Sequence, residues 1–324
     1  MSKKINWGII GCGNVTEVKS GPAYQKVDGF ELVAVMRRNE EKAKDYADRH
    51  NVKKYYTDAD LLINDDEVDA IYIATPPDSH KKYALKVAEA GKPCCIEKPL
   101  APNYEDCLAI TEAFKKKGIP LFTAYYRRSL PRFLKVKEWL EEKYIGEVRH
   151  VNWHFSSPPR DVDLTKEYNW HTDSKIAKAG YFDDLACHGL DLFSYYFGTI
   201  QTAKGISNNQ LGLYTAKDAV TGSWIYENGI TGSGSWNFGA YSYKDEVQII
   251  GSKGTIRLSI FKNEAIELDS KTKQEKIFIE HPEHIQFPHV ENMKKYLFGE
   301  ISEHPSTGVN ATHVAWMMDE ILKN

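Results

Sequence analysis

An aspartate and a histidine stand at a spacing that suits proton transfer. Asp184 and His188 are four residues apart in a predicted helix at about Tyr181–Phe197, so their side chains share one face. A carboxylate beside an imidazole can orient the ring and raise its basicity, as a general base requires. Asp191 follows three residues later. The alternative is a helix of ordinary core contacts in which His188 only forms a hydrogen bond.

A lysine occupies a second position of interest. Lys98 follows a short apolar strand that begins at Cys94 and lies between Glu97 and Pro99. In open parallel sheets, ligands bind outside the carboxyl ends of the strands. A lysine in an ordinary loop is a surface charge, but the apolar strand that leads into Lys98 places it at this ligand-binding edge.

A glycine turn follows the first predicted strand. Gly11 permits a tight turn, and Gly13 lets the backbone approach a pyrophosphate at the start of the next helix. Thr16 stands where the dinucleotide-binding pattern has its third glycine. We therefore predict a cofactor contact at the residues of this turn, which are Gly11, Gly13, Asn14 and Val15.

The end of the second predicted strand bears on the choice of cofactor. An acidic residue there would bind the ribose hydroxyls of NAD, but this chain has Arg37 and Arg38. Two guanidinium groups can pair with a 2′-phosphate by charge-assisted hydrogen bonds. The pair therefore favours NADP over NAD, with a solvated basic pair as the alternative.

The first 123 residues alternate strand and helix patterns, which predicts a parallel sheet. The strands are predicted at Ile5–Ile10, Glu31–Met36, Val68–Ala74, Cys94–Glu97 and Ile119–Ala124. A helix-length stretch runs from the glycine turn to about Val27, and further helices are predicted at Glu40–His50, Ser79–Ala90 and Tyr104–Lys117. We assign residues 1–123 to an α/β dinucleotide-binding domain.

Residues 124–324 are predicted to form an α+β domain with a largely antiparallel sheet. A helix at about Leu130–Lys143 and a strand at Val148–Phe155 precede the helix that carries His188. Strands and turns then follow to about Ile279, and Asn228-Gly229 predicts a type I′ hairpin turn. Two helices are predicted near His284–Phe298 and Gly308–Leu322.

Composition excludes several classes of protein. The net charge of −3 gives no reason to expect a nucleic-acid or membrane partner, and the apolar stretches are strand-sized. The five cysteines fit neither a zinc site nor a disulfide framework. With no signal segment before the first strand, we expect a cytoplasmic protein with reduced, buried cysteines and no metal.

Taken together, the motifs resemble the glucose–fructose oxidoreductase / inositol dehydrogenase family, often called Gfo/Idh/MocA. The resemblance rests on three segments in order: the glycine turn, Glu97-Lys98-Pro99 and the block from Asp184 to Asp191. Weaker similarities are the turn from Ala74 to His80, the polar segment Tyr125–Arg128 and Ile145-Gly146-Glu147.

The resemblance implies a Rossmann domain, an open-sheet second domain and catalysis at the cleft between them. It also implies a catalytic set of Lys98, Asp184 and His188. Two positions depart from the family: Tyr181 replaces a usual glycine, and Trp170-His171 stands where many relatives have Trp-Arg.

The resemblance and the motifs yield two lists of expected contacts. Further cofactor contacts are expected at Thr75, Pro76, His80, Glu97 and Lys98. Substrate contacts are expected at Tyr126, Arg128, Trp170, His171, Tyr181, Asp184 and His188, because aromatic faces suit a sugar ring and polar groups suit its hydroxyls.

The sequence thus predicts an NAD(P)-dependent oxidoreductase of a sugar, cyclitol or related polyhydroxy or keto compound. The alternatives are a reductase of a non-sugar carbonyl and a non-catalytic cofactor sensor, which would be expected to lose the lysine or the histidine. We also expect a homodimer or homotetramer. Strands from Val220 to Phe238 present small and aromatic residues on one side, and if the two C-terminal helices cover only one face of the sheet, an uncovered apolar face would be an association surface.

Overall fold

The computed structural model describes residues 4–323 and divides them into two compact units. The first comprises the described residues up to Ser129 together with Pro282–Thr312. The second comprises Leu130–His281 and the described residues from His313 onward. The sequence placed everything after residue 123 in one domain, so it missed the return of residues 282–312 to the first unit.

The first unit is built on a parallel sheet with strand order β3-β2-β1-β4-β5-β6. Its strands are β1 (Ile5–Ile10), β2 (Phe30–Met36), β3 (Lys54–Tyr56), β4 (Ala70–Ile73), β5 (Cys94–Ile96) and β6 (Leu121–Thr123). This is the order of a dinucleotide-binding Rossmann sheet, with its switch point between β1 and β4. The short strand β3 has no counterpart in the sequence prediction.

Helices connect these strands. They are α1 (Asn14–Val18), α2 (Gly21–Lys26), α3 (Glu40–Arg49), α4 (Ala59–Ile63), α5 (His80–Glu89) and α6 (Tyr104–Lys117). The prediction of one helix from the glycine turn to about Val27 was wrong. Pro22 lacks an N–H and begins a new helix, and the Tyr46 hydroxyl donates to the Thr16 carbonyl (2.9 Å), which a continuous helix would have used itself.

The second unit combines helices with a large sheet of order β14-β13-β12-β11-β7-β10-β9-β8. The helices are α7 (Pro131–Glu141), α8 (Asp161–Leu164) and α9 (Tyr181–Phe197). The strands are β7 (Val148–Ser156), β8 (Ile200–Asn208), β9 (Ala219–Tyr226), β10 (Thr231–Asn237), β11 (Lys244–Gly251), β12 (Gly254–Leu258), β13 (Ile266–Ser270) and β14 (Gln274–Ile277). The pair β7–β10 is parallel and the other neighbours are antiparallel, which confirms the predicted mainly antiparallel sheet.

The last two helices differ in where they pack. Helix α10 (Phe287–Leu297) buries Val290 and Met293 in the core of the first unit. Helix α11 (Gly308–Leu322) begins in the first unit and ends in the second, where Ile321 lies against Gly205 and Gly222. The expectation that both helices cover the large sheet was therefore wrong for α10.

The two faces of the large sheet differ in chemistry. Trp224, Tyr226 and Trp236, which the sequence placed on an uncovered apolar face, are buried inside the unit. Helix α9 covers this face, and the ring of Phe182 packs edge-on against Trp236 with 5.0 Å between the ring centroids. The prediction of an uncovered apolar face was wrong, because these aromatic residues lie in the core. On the opposite face, the outward side chains of β7, β9 and β10 are partly or fully accessible and, apart from Ile225, mostly polar.

The hairpin between β9 and β10 also differs from the prediction. Only Gly229 has a positive φ (+83°), whereas a type I′ turn would need Asn228 there as well. The loop spans three residues, closed by bonds from Gly229 N–H to Tyr226 O (2.9 Å) and from Tyr226 N–H to Ile230 O (2.8 Å). This is the longer hairpin form, in which the glycine follows the turn as a bulge.

Helix α9 is held to the sheet by close packing at one glycine. A Cβ on Gly189 would lie 2.4 Å from the ring of Trp153, which is fully buried and donates its indole N–H to Asp245 (2.9 Å). Gly189→Ala is therefore expected to lower the free energy of unfolding by about 1–3 kcal/mol from overpacking, less about 1 kcal/mol of regained helix propensity. Urea denaturation would measure this, with Ser194→Ala on the same helix as the control. An unchanged midpoint would show that Trp153 can move aside.

Candidate active site

A backbone hydrogen bond joins the glycine turn after β1 to the end of β2. The N–H of Gly11 donates to the Met36 carbonyl (2.9 Å), and Gly11 has a φ of +95°. A side chain on Gly11 would also meet Thr75 at 2.7 Å. Thr16, in the place of a third glycine, donates its hydroxyl to the Gly13 carbonyl (2.8 Å). The turn is therefore fixed by its own bonds without the third glycine.

Gly13 differs from Gly11 because the fold does not require a glycine there. Its φ of −133° suits any residue, and a Cβ would meet nothing closer than the Gly11 carbonyl at 3.9 Å. Neither backbone strain nor internal packing explains the missing side chain. A dinucleotide pyrophosphate needs this close backbone approach at the start of a helix, so the turn fits the cofactor.

The two arginines after β2 have different surroundings. Arg37 is half-buried and donates from Nη1 to the Cys12 carbonyl within the glycine turn (3.2 Å). Arg38 is exposed. Burial raises the pKa of the Cys12 thiol to about 11, so this cysteine stays neutral beneath the turn. Arg37 is thus hydrogen-bonded to the turn, and Arg38 is the more accessible of the two arginines.

Glu97 is a buried support of the lysine loop. Its Oε1 accepts hydrogen bonds from the Tyr72 hydroxyl (2.5 Å) and the Gln286 amide (2.7 Å). Its Oε2 accepts the backbone N–H of Lys98 (3.2 Å), immediately after β5. Burial and the Glu97 carboxylate hold the pKa of Tyr72 well above its usual range. The sequence expected Glu97 to contact the cofactor, but these bonds direct it toward Lys98.

His80 plays a comparable supporting role. It is fully buried, with Nε2 2.7 Å from the Thr75 carbonyl and Nδ1 3.1 Å from the Pro99 carbonyl. Burial lowers its pKa. The ring connects the turn after β4 to the loop that carries Lys98, whereas Thr75 and Pro76 remain at least partly accessible.

The polar segment after β6 is buried in the first unit. Tyr126 lies beneath the guanidinium of Arg127, 5.0 Å from its ring centroid. Arg128 donates from Nη1 to the Pro305 carbonyl (2.9 Å), so it is tied to the returning segment of the chain. No feature of the local sequence signals this bond.

In the second unit, helix α9 carries the predicted acid–base pair. Asp184 and His188 are one helical turn apart on the same face, as the spacing predicted. His188 is 5% exposed and packs edge-on against Phe261, with ring centroids 5.8 Å apart. Burial raises the pKa of the neighbouring Asp183 to about 7, and that carboxylate accepts the Ala179 N–H (2.9 Å) at the start of the helix. Asp191 is fully buried.

The segment before α9 brings further predicted residues to Asp184. His171 Nε2 lies 3.9 Å from Asp184 Oδ2, and Trp170 stacks on the His171 ring at 3.6 Å. Tyr181 is buried, and its hydroxyl bonds to Asp163 and Asn169. Tyr181 was expected to face the substrate, but its hydroxyl is engaged inside the protein. The sequence did not identify Asp163 or Asn169.

The described residues also bear on metals, disulfides and membranes. Among residues 4–323, no cluster of three or more His, Cys, Asp and Glu side chains could hold a metal ion. All five cysteines are buried and free. No helix in the same range is both long and apolar enough to cross a bilayer.

Comparison with known proteins identifies the family. Residues 5–125 match an oxidoreductase family with an NAD-binding Rossmann fold, and residues 133–257 match the Gfo/Idh/MocA C-terminal domain. The chain is 40% identical to oxidoreductase P35 of Formosa agariphila over 322 residues, 98% of either protein. This chain belongs to the Gfo/Idh/MocA family.

Other relatives agree with this membership. A myo-inositol 2-dehydrogenase of Thermotoga maritima is 26% identical, covering 77% of this chain and 73% of that protein. The structure of a levoglucosan dehydrogenase with NADH and levoglucosan has the same fold, with a TM-score of 0.84, 22% identity and coverage of 98% of this chain and 96% of that one. The predicted family, fold class and NAD(P)-dependent oxidoreductase activity are thus confirmed.

Proposed function

We propose that this protein transfers a hydride between a nicotinamide dinucleotide and a sugar, cyclitol or related polyhydroxy or keto compound. The observation that carries the proposal is the Asp184–His188 pair on one face of α9 in a chain of this family. Relatives named as dehydrogenases of myo-inositol, levoglucosan and D-apiose support the substrate class.

The proposed chemistry assigns one task to each of three side chains. When bound, the nicotinamide supplies the hydride acceptor or donor. In the oxidative direction, His188 takes the proton from the substrate hydroxyl, and Lys98 donates a hydrogen bond to the same oxygen. Asp184 orients His188 or accepts a second hydroxyl. Reduction reverses the proton transfer.

The other predicted residues form two groups. Some contact the cofactor or the substrate, and the rest hold those contacting residues in place. We assign cofactor contact to Gly11, Gly13, Asn14, Val15, Thr75 and Pro76. We assign substrate contact to Tyr126, Arg128, Trp170 and His171. Glu97, His80 and Tyr181 act through their neighbours, because their polar atoms form hydrogen bonds with other groups of the protein.

We propose that the enzyme prefers NADP, with Arg38 pairing with the 2′-phosphate. Its exposure after β2 and the engagement of Arg37 with the glycine turn support this assignment. Fluorescence titrations of NADPH and NADH into the protein and into Arg38→Ala test it. Equal or tighter NADH binding by the unaltered protein would refute the preference.

Gly13→Ala is expected to separate cofactor binding from stability. A Cβ there meets no internal atom within 3.9 Å, so the unfolding midpoint stays near that of the unaltered protein. The same Cβ would occupy the space that the pyrophosphate approaches, and dinucleotide affinity is expected to fall at least about tenfold. Gly11→Ala is the contrasting variant, since its positive φ and its contact with Thr75 predict lost stability. Unchanged affinity in Gly13→Ala would remove the turn from the binding site.

The overall proposal is tested by a nicotinamide absorbance assay. NAD⁺ and NADP⁺ are each combined with a panel of sugars, sugar acids and cyclitols, and the reduced cofactors with the corresponding keto compounds. Turnover of a polyhydroxy or keto compound is expected. Tight cofactor binding without turnover of any member of the panel would contradict the substrate class.

We further propose that the polar face of the large sheet joins copies of the chain. Support comes from bonds across β7 and β10 that hold its side chains in place: His150 to Thr231 (2.8 Å), and Asn152 to Ser233 (2.9 Å). Such a pre-ordered surface loses little side-chain entropy on association. Light scattering at micromolar concentration tests the idea, and a monomeric mass would refute it.

A further inference from the structure

The segment that returns to the first unit, residues 282–312, is hydrogen-bonded to the end of α1. Gln286 precedes the first residue of α10, and its backbone N–H donates to the Lys19 carbonyl (3.3 Å). His284 Nδ1 lies 3.0 Å from the carbonyl of Val18, the last residue of α1. The returning segment therefore fixes the end of the helix whose start is assigned to the dinucleotide.

The Gln286 side chain bonds to a different element, the lysine loop after β5. It is 1% exposed, and its amide nitrogen donates to Glu97 Oε1 (2.7 Å). An ionised carboxylate only accepts hydrogen bonds, so this contact determines which way the amide points. The amide oxygen is buried and bonds to no other group in the part of the chain that the structure describes. Glu97 is thus the partner that sets the orientation of this side chain.

Glu97 connects Gln286 to the backbone of Lys98. Its Oε1 also accepts the Tyr72 hydroxyl (2.5 Å), and its Oε2 accepts the Lys98 N–H (3.2 Å). Two side-chain donors therefore hold one oxygen of the carboxylate, and the other oxygen holds the loop. Without the Gln286 donor, the carboxylate is free to rotate about its side-chain bonds, and the Lys98 N–H loses a fixed acceptor.

We propose that Gln286 is a positioning residue that holds the Glu97 carboxylate, and through it Lys98, in place relative to α1. Its backbone bonds to the end of α1 and its side chain bonds to the lysine loop. One residue thus joins the element assigned to the dinucleotide and the element assigned to the reacting oxygen. The inference rests on the proposed function, because it uses the role that is assigned there to Lys98.

The titratable groups around Glu97 stay neutral near neutral pH. Four of them interact electrostatically with its carboxylate: Tyr24 on α2, Tyr72 on β4, Cys95 on β5 and His80 on α5. Burial raises the pKa of the two tyrosines and of the cysteine, and it lowers the pKa of the histidine. His289 on α10 lies 3.9 Å from Cys95 Sγ, and burial holds its pKa well below the usual range. A new carboxyl at position 286 would therefore titrate against Glu97.

Gln286→Met removes the donor and keeps a similar volume. We expect kcat to fall about 5- to 50-fold, because a small misplacement of a catalytic group is costly. Dinucleotide affinity is expected to stay within about threefold, since the backbone bond to Lys19 remains. Gln25→Met is the matched control, because the Gln25 amide, exposed on α2, donates to the His50 carbonyl (2.7 Å). A kcat within about twofold of the unaltered value in Gln286→Met would overturn the proposal.

Gln286→Glu tests the role by its dependence on pH. At alkaline pH the two carboxylates repel each other, and kcat is expected to fall at least as far as in Gln286→Met. On acidification to about pH 6.5 the buried pair takes up a proton, and the carboxyl at position 286 then donates to Glu97 as the amide does. The kcat of this variant relative to the unaltered protein is therefore expected to rise about fivefold or more. A ratio that stays constant with pH, or that only follows a loss of fold seen by circular dichroism, would refute the role.

Hydrogen exchange of the Lys98 amide tests the positioning without any turnover. In protein labelled with ¹⁵N-lysine, Lys98→Arg assigns the signal, and exchange is expected to be about tenfold faster in Gln286→Met than in the unaltered protein or Gln25→Met. Unchanged exchange would refute the role of Gln286, even if turnover of polyhydroxy compounds is normal. Faster exchange with no turnover of any polyhydroxy or keto compound by the unaltered protein would refute the proposed function and leave the positioning of the loop established.

Discussion

Replacing Lys98 with alanine is expected to lower kcat by about 10²- to 10⁴-fold with any substrate that the unaltered enzyme turns over. The ammonium group is assigned to the oxygen on which negative charge develops as the proton leaves. Such a donor stabilises the transition state more than the ground state, so kcat falls rather than KM alone rising. Dinucleotide affinity is expected to stay within about threefold, because the glycine turn keeps its own bonds.

The design of the lysine experiment depends on how the loop is supported. The backbone N–H of Lys98 is held by Glu97, which Tyr72 and Gln286 fix in turn, so removing the side chain leaves the loop in place. Lys116→Ala, exposed on α6 of the same unit, makes the same change of charge and is the matched control. Steady-state rates and an NADPH titration on each variant give the result. Near-normal turnover in Lys98→Ala would exclude this lysine from the chemistry.

Local patterns predicted the elements that carry the candidate site. Helix α9 occupies Tyr181–Phe197 as the apolar spacing indicated, because a single amphipathic pattern runs from just after Gly180 to just before Gly198. The glycine turn was predicted for a similar reason, because a buried strand that ends at a glycine indicates a tight turn there. Both signals lie within about twenty consecutive residues, a range in which hydrophobic period and turn chemistry act.

Supports from distant parts of the chain were not predictable. Gln286 bonds Glu97 across 189 residues, and Arg128 bonds Pro305 across 177. An isolated polar residue in a loop does not show which buried group it will form a hydrogen bond with. Asn169 was missed for a different reason: it lies near Tyr181 in sequence, but no local pattern shows that its amide donates a hydrogen bond to the Tyr181 hydroxyl.

The sheet face shows how a correct pattern led to a wrong conclusion. The alternation of Trp224, Tyr226 and Trp236 correctly marked one apolar face, but periodicity cannot tell whether the chain itself covers that face. Helix α9 does so, and α10 joins the other unit instead. The face that helix α9 leaves uncovered carries mostly polar side chains, so the apolar alternation marked the core of the unit and not its outer surface.

Replacing His188 is expected to have an effect as large as that at Lys98. Without the imidazole, the substrate proton has no positioned acceptor, and kcat is expected to fall about 10²- to 10⁴-fold. His188 is buried against Phe261, so His188→Ala leaves a cavity and can lower stability. His188→Asn keeps part of the volume and a polar atom while removing the basic nitrogen, and both variants are compared by thermal unfolding and dinucleotide titration.

The decisive comparison is between His188→Asn and Asp184→Asn. If Asp184 only orients the ring, its loss is expected to reduce kcat less than the loss of His188, because the base itself remains. If Asp184 instead holds a second hydroxyl, its loss raises KM and leaves the kcat of a substrate without that hydroxyl nearly unchanged. His154→Asn on the polar sheet face is the histidine control. Undiminished turnover in a folded His188→Asn protein that still binds its dinucleotide would show that the proton leaves by another group.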